Sequence, residues 1–253
     1  QKKRRAKLYK RGHRFARLRT AAVNVGAFFR AGWHAYASWG MAAVGISDSN
    51  LGTWRRFTAK AISPAAAGKS VDAILRLADL KATYHTDPAY EAHLLPIGHW
   101  AQAIWEKWEP ERTLQQWFAK AKARVTKAKT IWSVVNGPAS ACIASLTRLK
   151  WTAVTFKEWL DDLRQKWVLD DDPPALVKDA VAQSVRRWQE RRIAAACPSA
   201  GLENGIFIDP ILQLLRKIDP QRGWTRTEQA QLLSGVCNGQ WPQLRLHKAT
   251  LAD

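Results

Sequence analysis

No aspartate or glutamate occurs before Asp48 in this 253-residue chain, so the first 47 residues cannot pair their own cations. Cysteine is scarce as well. Cys142, Cys197 and Cys237 are far apart and odd in number, which excludes a disulfide framework and a cysteine metal cluster and points to a reducing compartment. The longest uncharged runs, 31–47 and 131–147, are broken by Gly32, Gly40 and Gly45 and by Asn136-Gly137-Pro138. Neither reaches the roughly 20 apolar residues of a spanning helix, so no transmembrane segment is expected. Sustained alternation of β-branched residues is missing, and Gly205-Ile-Phe-Ile-Asp209 is the sole candidate for an extended piece. His13, His34, His85, His93, His99 and His247 lack ligand spacing, and no Ser/His/Asp or Cys/His arrangement can be assembled. The sequence thus offers no catalytic residue, no metal site and no cofactor.

What is abundant is positive charge. Forty Lys and Arg against 21 Asp and Glu give a net charge of +19, and residues 1–60 hold 14 of the cations and one acid. Such an imbalance points to a polyanion, nucleic acid or an acidic membrane face. A hydrophobic fraction of 47% excludes a disordered chain, and the length suffices for a core of its own. The start at Gln1 reads as a fragment or processed product. Its arginine-rich, acid-free opening also fits a transit-like segment, although nucleus or cytoplasm is the expected compartment.

The patterning is helical almost throughout. Residues 2–30 read as a basic amphipathic helix with Leu8, Phe15, Leu18, Val25 and Phe29 near one side, and a short helix is expected over 50–61. Asp87-Pro88 sets a capping carboxylate before a proline at the first helical position. Thr113–Gln116, Thr155–Glu158 and Thr225–Glu228 each have the hydroxyl-to-carboxamide or carboxylate spacing of a capping box. Asp170-Asp171-Asp172-Pro173-Pro174 opens the best helix, with Val177, Val181, Ser184, Val185, Trp188 and Ile193 on its apolar side and Arg186, Arg187, Arg191 and Arg192 on the other. The expected fold is all-α, an irregular multi-helix array. Its expected segments are 1–62 (basic and helical), 63–135 (helical linker) and 136–253 (Trp/Arg-rich), with breaks at 136–138 and 197–205.

The strongest functional signal is the run Lys2, Lys3, Arg4, Arg5, Lys7, Lys10, Arg11, Arg14, Arg17 and Arg19, followed by Arg30, Arg55 and Arg56. Cations along a helix neutralise phosphates and release counterions, giving salt-dependent, largely sequence-independent affinity for RNA or DNA. Lys120, Lys122, Arg124, Lys127 and Lys129 form a second stripe. Of the 14 tryptophans, Trp105, Trp108, Trp117, Trp159, Trp167 and Trp188 fall on apolar helix sides and read as core. Trp33 and Trp39, in the Gly-punctuated basic region, are the candidates for stacking on bases. Ala65-Ala66-Ala67-Gly68-Lys69-Ser70 ends like a phosphate loop but has Ser63 where the first glycine belongs, so Ser70 reads as a helix cap. Trp159-Leu160-Asp161-Asp162 has the paired aspartates of a two-metal site, yet the Thr155 cap places the pair inside a helix, where a structural role is expected.

Several landmarks together resemble the region downstream of the palm in non-LTR (LINE-like) retrotransposon reverse transcriptases. They are Phe28-Phe29-Arg30-Ala31-Gly32, Tyr36-Ala-Ser-Trp39-Gly40, Leu51 and Arg55-Arg56; Gly68-Lys69-Ser70, Asp87-Pro88, His93, Trp100-Ala101 and Trp105; Asn136-Gly137-Pro138, Leu146, Leu149, Trp151, Trp159 and Asp161; and Ala180-Val181, Arg187-Trp188-Gln189, Arg191-Arg192 and Leu244-Arg245-Leu246-His247-Lys248-Ala249. The resemblance spans most of the chain on loose motifs of Gly, Trp and Arg, and Ala-Ser-Trp stands between Tyr36 and Gly40. It implies a thumb and helical linker gripping template and primer backbone, without the catalytic palm. The competing expectation is a structural subunit of a ribonucleoprotein or protein assembly, its basic arm threaded into RNA and its Trp-rich helices bound to partner proteins.

Overall fold

In a computed structural model the described residues are 10–15, 17–18, 29–63, 68–81, 86–196, 201–202, 205–237 and 239. Residues 10–15 and 17–18 are helical, and a π-helical turn over Phe29–His34 leads into α1 (Ala35–Ser38) and α2 (Met41–Val44). Then follow α3 (Asp48–Ile62), α4 (Val71–Lys81), α5 (Pro88–Trp105), α6 (Glu111–Lys127) and α7 (Pro138–Leu149). A small sheet comes next, β1 (Thr152–Ala153), β2 (Glu158–Leu160) and β3 (Lys166–Val168), and after it α8 (Pro174–Ala196), α9 (Asp209–Arg216) and α10 (Arg226–Val236).

The described residues are mostly helical with one small three-stranded sheet, and so not strictly all-α. The antiparallel sheet runs in the order β1-β2-β3, with Trp159 opposite Trp167. It corrects two expectations. Thr155 does accept N–H bonds from Lys157 and Glu158, but it closes the turn between β1 and β2 instead of starting a helix. A hydroxyl meets the same N–H groups in a turn as at a helix start, so the spacing serves either structure. Residues 205–208 form no strand and lead directly into α9. Thr113 likewise lies inside the first turn of α6, whose cap position is Pro110. The other starts behave as expected: Asp87 Oδ1 accepts from Ala89 N (2.9 Å), Thr225 and Glu228 form a reciprocal box, and Ser70 Oγ accepts from Ala73 N (3.3 Å).

Three apolar clusters underlie the packing. The largest draws on α5, α6, α7, the sheet and α8, with Trp100, Trp151, Trp159, Phe118 and Leu149 buried in it. Asn136-Gly137-Pro138 leads into α7, with Pro138 its first residue. A second cluster gathers Trp33, Met41, Leu51 and Trp54, and Phe15 and Phe57 pack against it. The third joins α4 to α9 through Leu75, Leu77, Ile208 and Leu212. At Gly45 the backbone has φ of 56° and a Cβ would come 2.7 Å from the Trp132 ring, so a side chain there meets both strain and a clash.

One ion-pair network ties four helices. Arg55 of α3 donates from Nε and Nη2 to Asp87 (2.6–3.0 Å) and from Nη1 to Asp72 of α4 (2.5 Å). Asp87 also accepts from Gln189 of α8 (2.7 Å), while Arg192 of α8 donates to Asp72 (2.8 Å). Trp188 carries the Arg55 guanidinium 4.9 Å and that of Arg192 5.0 Å from its ring. Burial alone would lower the Arg55 pKa, but Asp87 and then Asp72 raise it; burial would raise Asp72, and Arg55 and Arg192 hold it low. Asp87→Ala is expected to cost about 3–5 kcal/mol, because it leaves Arg55 Nε and Nη2 buried without their acceptor and removes the α5 cap. Urea unfolding of the variant beside the parent measures this, and a loss below about 1 kcal/mol would remove the network from its structural role.

Candidate nucleic-acid interface

The predicted contact residues divide by burial. Lys2, Lys3, Arg4, Arg5, Lys7 and Arg19 lie outside the described residues, as does the side chain of Arg30. Lys10, Arg11, Arg14 and Arg17 are exposed. Their helix rests on α3 at Gly12, where a Cβ would come 2.9 Å from Phe57, and at His13, which meets Phe57 edge-on. Arg11 lies over the Tyr36 ring at 5.1 Å.

Two predicted residues are corrected. Trp33 is 3% exposed, packed on Trp54 and Phe57, and Arg55 is 2% exposed inside the network just described. Neither offers a surface to a base or phosphate. Trp39 is 74% exposed, and Arg56 is exposed with a bond to Thr53 Oγ1.

On α6 the apolar stripe Leu114, Phe118, Ala121 and Val125 is buried, so Trp117, Lys120, Arg124 and Lys127, at steps of three and four, share an exposed side. Lys122 points elsewhere and donates to the carbonyls of Ala153 (2.7 Å) and Val154 (3.2 Å). Among the described residues Lys120, Arg124 and Lys127 meet no carboxylate. Lys120 and Arg124 flank a cleft of about 420 Å³, whose other walls include His99, Trp108 and Trp117 and whose floor is the Asn136–Ser140 turn.

The sequence placed Trp105, Trp108 and Trp117 in the core, but they are 42%, 46% and 48% exposed. The α6 phase contains the signal for Trp117: at about 100° per residue it sits about 70° from the centre of the buried stripe, at its edge. Trp108 lies in the loop before Pro110, outside any helical phase. Trp159 is fully buried, and Trp167 and Trp188 pack against the main core as expected, but Trp159 and Trp167 do so from β2 and β3 and not from helices.

The aspartate pair sits in the β2–β3 turn, not in a helix. Asp161 Oδ1 accepts from Leu163 N and Gln165 N, organising the turn. Asp162, with a side chain 1% exposed, accepts from Ser184 (2.6 Å), Arg187 (2.6 and 2.9 Å) and Arg191 (2.9 Å) on α8. Ser184 in turn accepts from Trp151 Nε1 (2.8 Å). Both carboxylates are thus engaged by protein donors, and no group of three or more His, Cys, Asp or Glu among the described residues could hold a metal ion. Nor is any described helix long and apolar enough to cross a membrane. His93 is fully buried, its Nδ1–H donating to Ala89 O (2.6 Å), and burial followed by the nearby Arg148 charge pushes its pKa down to about 3.

No protein-family model, curated protein or solved structure matches this chain.

Burial would raise the Asp162 pKa, but the bonds from Arg187, Ser184 and Arg191 hold it well below the usual carboxylate range. Its stabilising contribution is therefore present above the unfolded value of about 4 and lost as pH falls toward the folded value. Asp162→Asn is expected to be less stable than the parent at pH 7, with the gap closing below about pH 4. Urea midpoints across pH 3–7 test this, and a gap that stays constant would detach Asp162 from the acid response.

Proposed function

We propose that this chain is a nucleic-acid-binding, non-catalytic helical segment of a reverse transcriptase-like protein of the non-LTR retrotransposon kind, gripping template or primer backbone. The observation that carries the reading is the exposed, carboxylate-free row Lys120, Arg124 and Lys127 on α6, in a chain of net charge +19. Lys10, Arg11, Arg14 and Arg17 add a second exposed basic surface, docked on α3 through Gly12 and His13. Rows of this kind bind by releasing counterions, so affinity should depend steeply on salt and little on sequence. The retrotransposon element of the reading rests on the loose Gly, Trp and Arg landmarks of the sequence.

A second reading, a structural subunit of a ribonucleoprotein, draws on exposed apolar side chains. Phe207, Trp39 and Leu163 are 77%, 74% and 65% exposed, as protein-contact residues would be.

The deciding measurement is a salt titration of binding to a 30-nucleotide RNA and a 30-base-pair DNA duplex. The parent should lose affinity linearly on a log–log plot. Lys120→Gln/Arg124→Gln/Lys127→Gln should flatten the slope by about 2–3, at 0.7–0.9 per phosphate contact. A binding constant unchanged between low and moderate salt would defeat the nucleic-acid reading and leave the protein-assembly one.

A further inference from the structure

We infer that the cleft between α6 and the start of α7 holds an unpaired base of a single strand, stacked on Trp117 and Trp108, with its phosphate on Lys120 and Arg124. The inference rests on the nucleic-acid reading above and adds to it a site, an occupant and a preference for single strands. At about 420 Å³ the cleft has the size of ordinary small-ligand sites, enough for one nucleotide unit.

Its aromatic wall is held in place before anything binds. Trp108 Nε1 donates to Glu106 Oε2 (2.6 Å), and Glu106 Oε1 is itself held by Gln102 Nε2 (2.8 Å). The Trp108 ring meets His99 edge-on at 5.0 Å, and its backbone N–H bonds Ala103 O (3.1 Å). A ring so fixed loses little freedom when a base lands on it. Trp117 stands one turn before Lys120 and two before Arg124, which puts indole and cations on one side of α6, beside the same cleft.

Charge separates this cleft from its neighbour. A second cleft of about 390 Å³ shares Trp108, Glu109 and Leu114, but its far wall has Glu111 and Asp170, bridged by Lys157 at 2.9 and 2.6 Å. A phosphate entering there meets three lining carboxylates, Glu109, Glu111 and Asp170, against the single lining cation Lys107. In the first cleft Glu109 is the single acidic wall residue and faces two cations, so an anion is drawn to the Lys120–Arg124 side. A duplex keeps its bases stacked on one another and cannot use the indoles; a single strand can.

The test uses the full chain and three labelled probes: a 12-nucleotide oligouridylate, its abasic counterpart and a 12-base-pair duplex. Trp117→Ala should weaken oligouridylate binding about tenfold or more, while Trp117→Phe retains most of the affinity. Neither substitution should change binding of the abasic strand or the duplex, and thermal unfolding should confirm that both variants fold. If Trp117→Ala binds oligouridylate like the parent, or weakens all three probes equally, the stacking site is overturned while the nucleic-acid reading stands. If the parent itself binds none of the probes at low salt, that reading fails first and takes this one with it.

Discussion

Arg55 is the interaction on which the helical assembly depends. Its guanidinium is closed off from water between Asp87 and Asp72, and the same two carboxylates receive Gln189 and Arg192 from α8. A buried ion pair is weak evidence for net stability, since well-packed apolar residues can do as well. What it enforces is position. Each partner is intolerable without the others, so α3, α4, the start of α5 and α8 must meet in one register. Asp87 also caps α5, which makes the local decision to begin that helix and the tertiary decision to dock α8 two uses of one side chain.

The cations consequently fall into two groups that the sequence does not distinguish. Arg55, Arg76, Arg148, Arg187 and Arg191 are committed to Asp72 and Asp87, Glu190, Asp48 and Asp162. They hold the fold together. Lys10, Arg14, Arg17, Lys120, Arg124 and Lys127 have no carboxylate partner among the described residues and face outward.

Helix starts were the most legible part of the sequence. Asp87-Pro88 and Thr225–Glu228 act within two or three residues, and local bonds decide them. The sheet was not legible because strands of two or three residues are too short to show alternation, and the Thr155 hydroxyl caps a turn as readily as a helix. The candidate site was half legible. The α6 cations and the phase of Trp117 are readable from spacing, whereas the burial of Trp33 and Arg55 depends on partners elsewhere in the chain. Residue type alone put Arg55 on the surface, and Asp72, 17 residues on, and Asp87, 32 residues on, put it in the core.

The order in which the network's members occur along the chain has a consequence for synthesis. Arg55, Asp72 and Asp87 leave the ribosome first, but Arg192 is 120 residues beyond Asp72 and Gln189 is 102 beyond Asp87. At typical elongation rates of about 5–20 residues per second, the early members wait roughly 5–25 s for α8. Throughout that interval the carboxylates of Asp72 and Asp87 lack their α8 partners and stay within reach of water and of other nascent chains. The last long helix therefore serves as a clasp, and a pause in translation shortly before it would prolong the exposure of everything it closes.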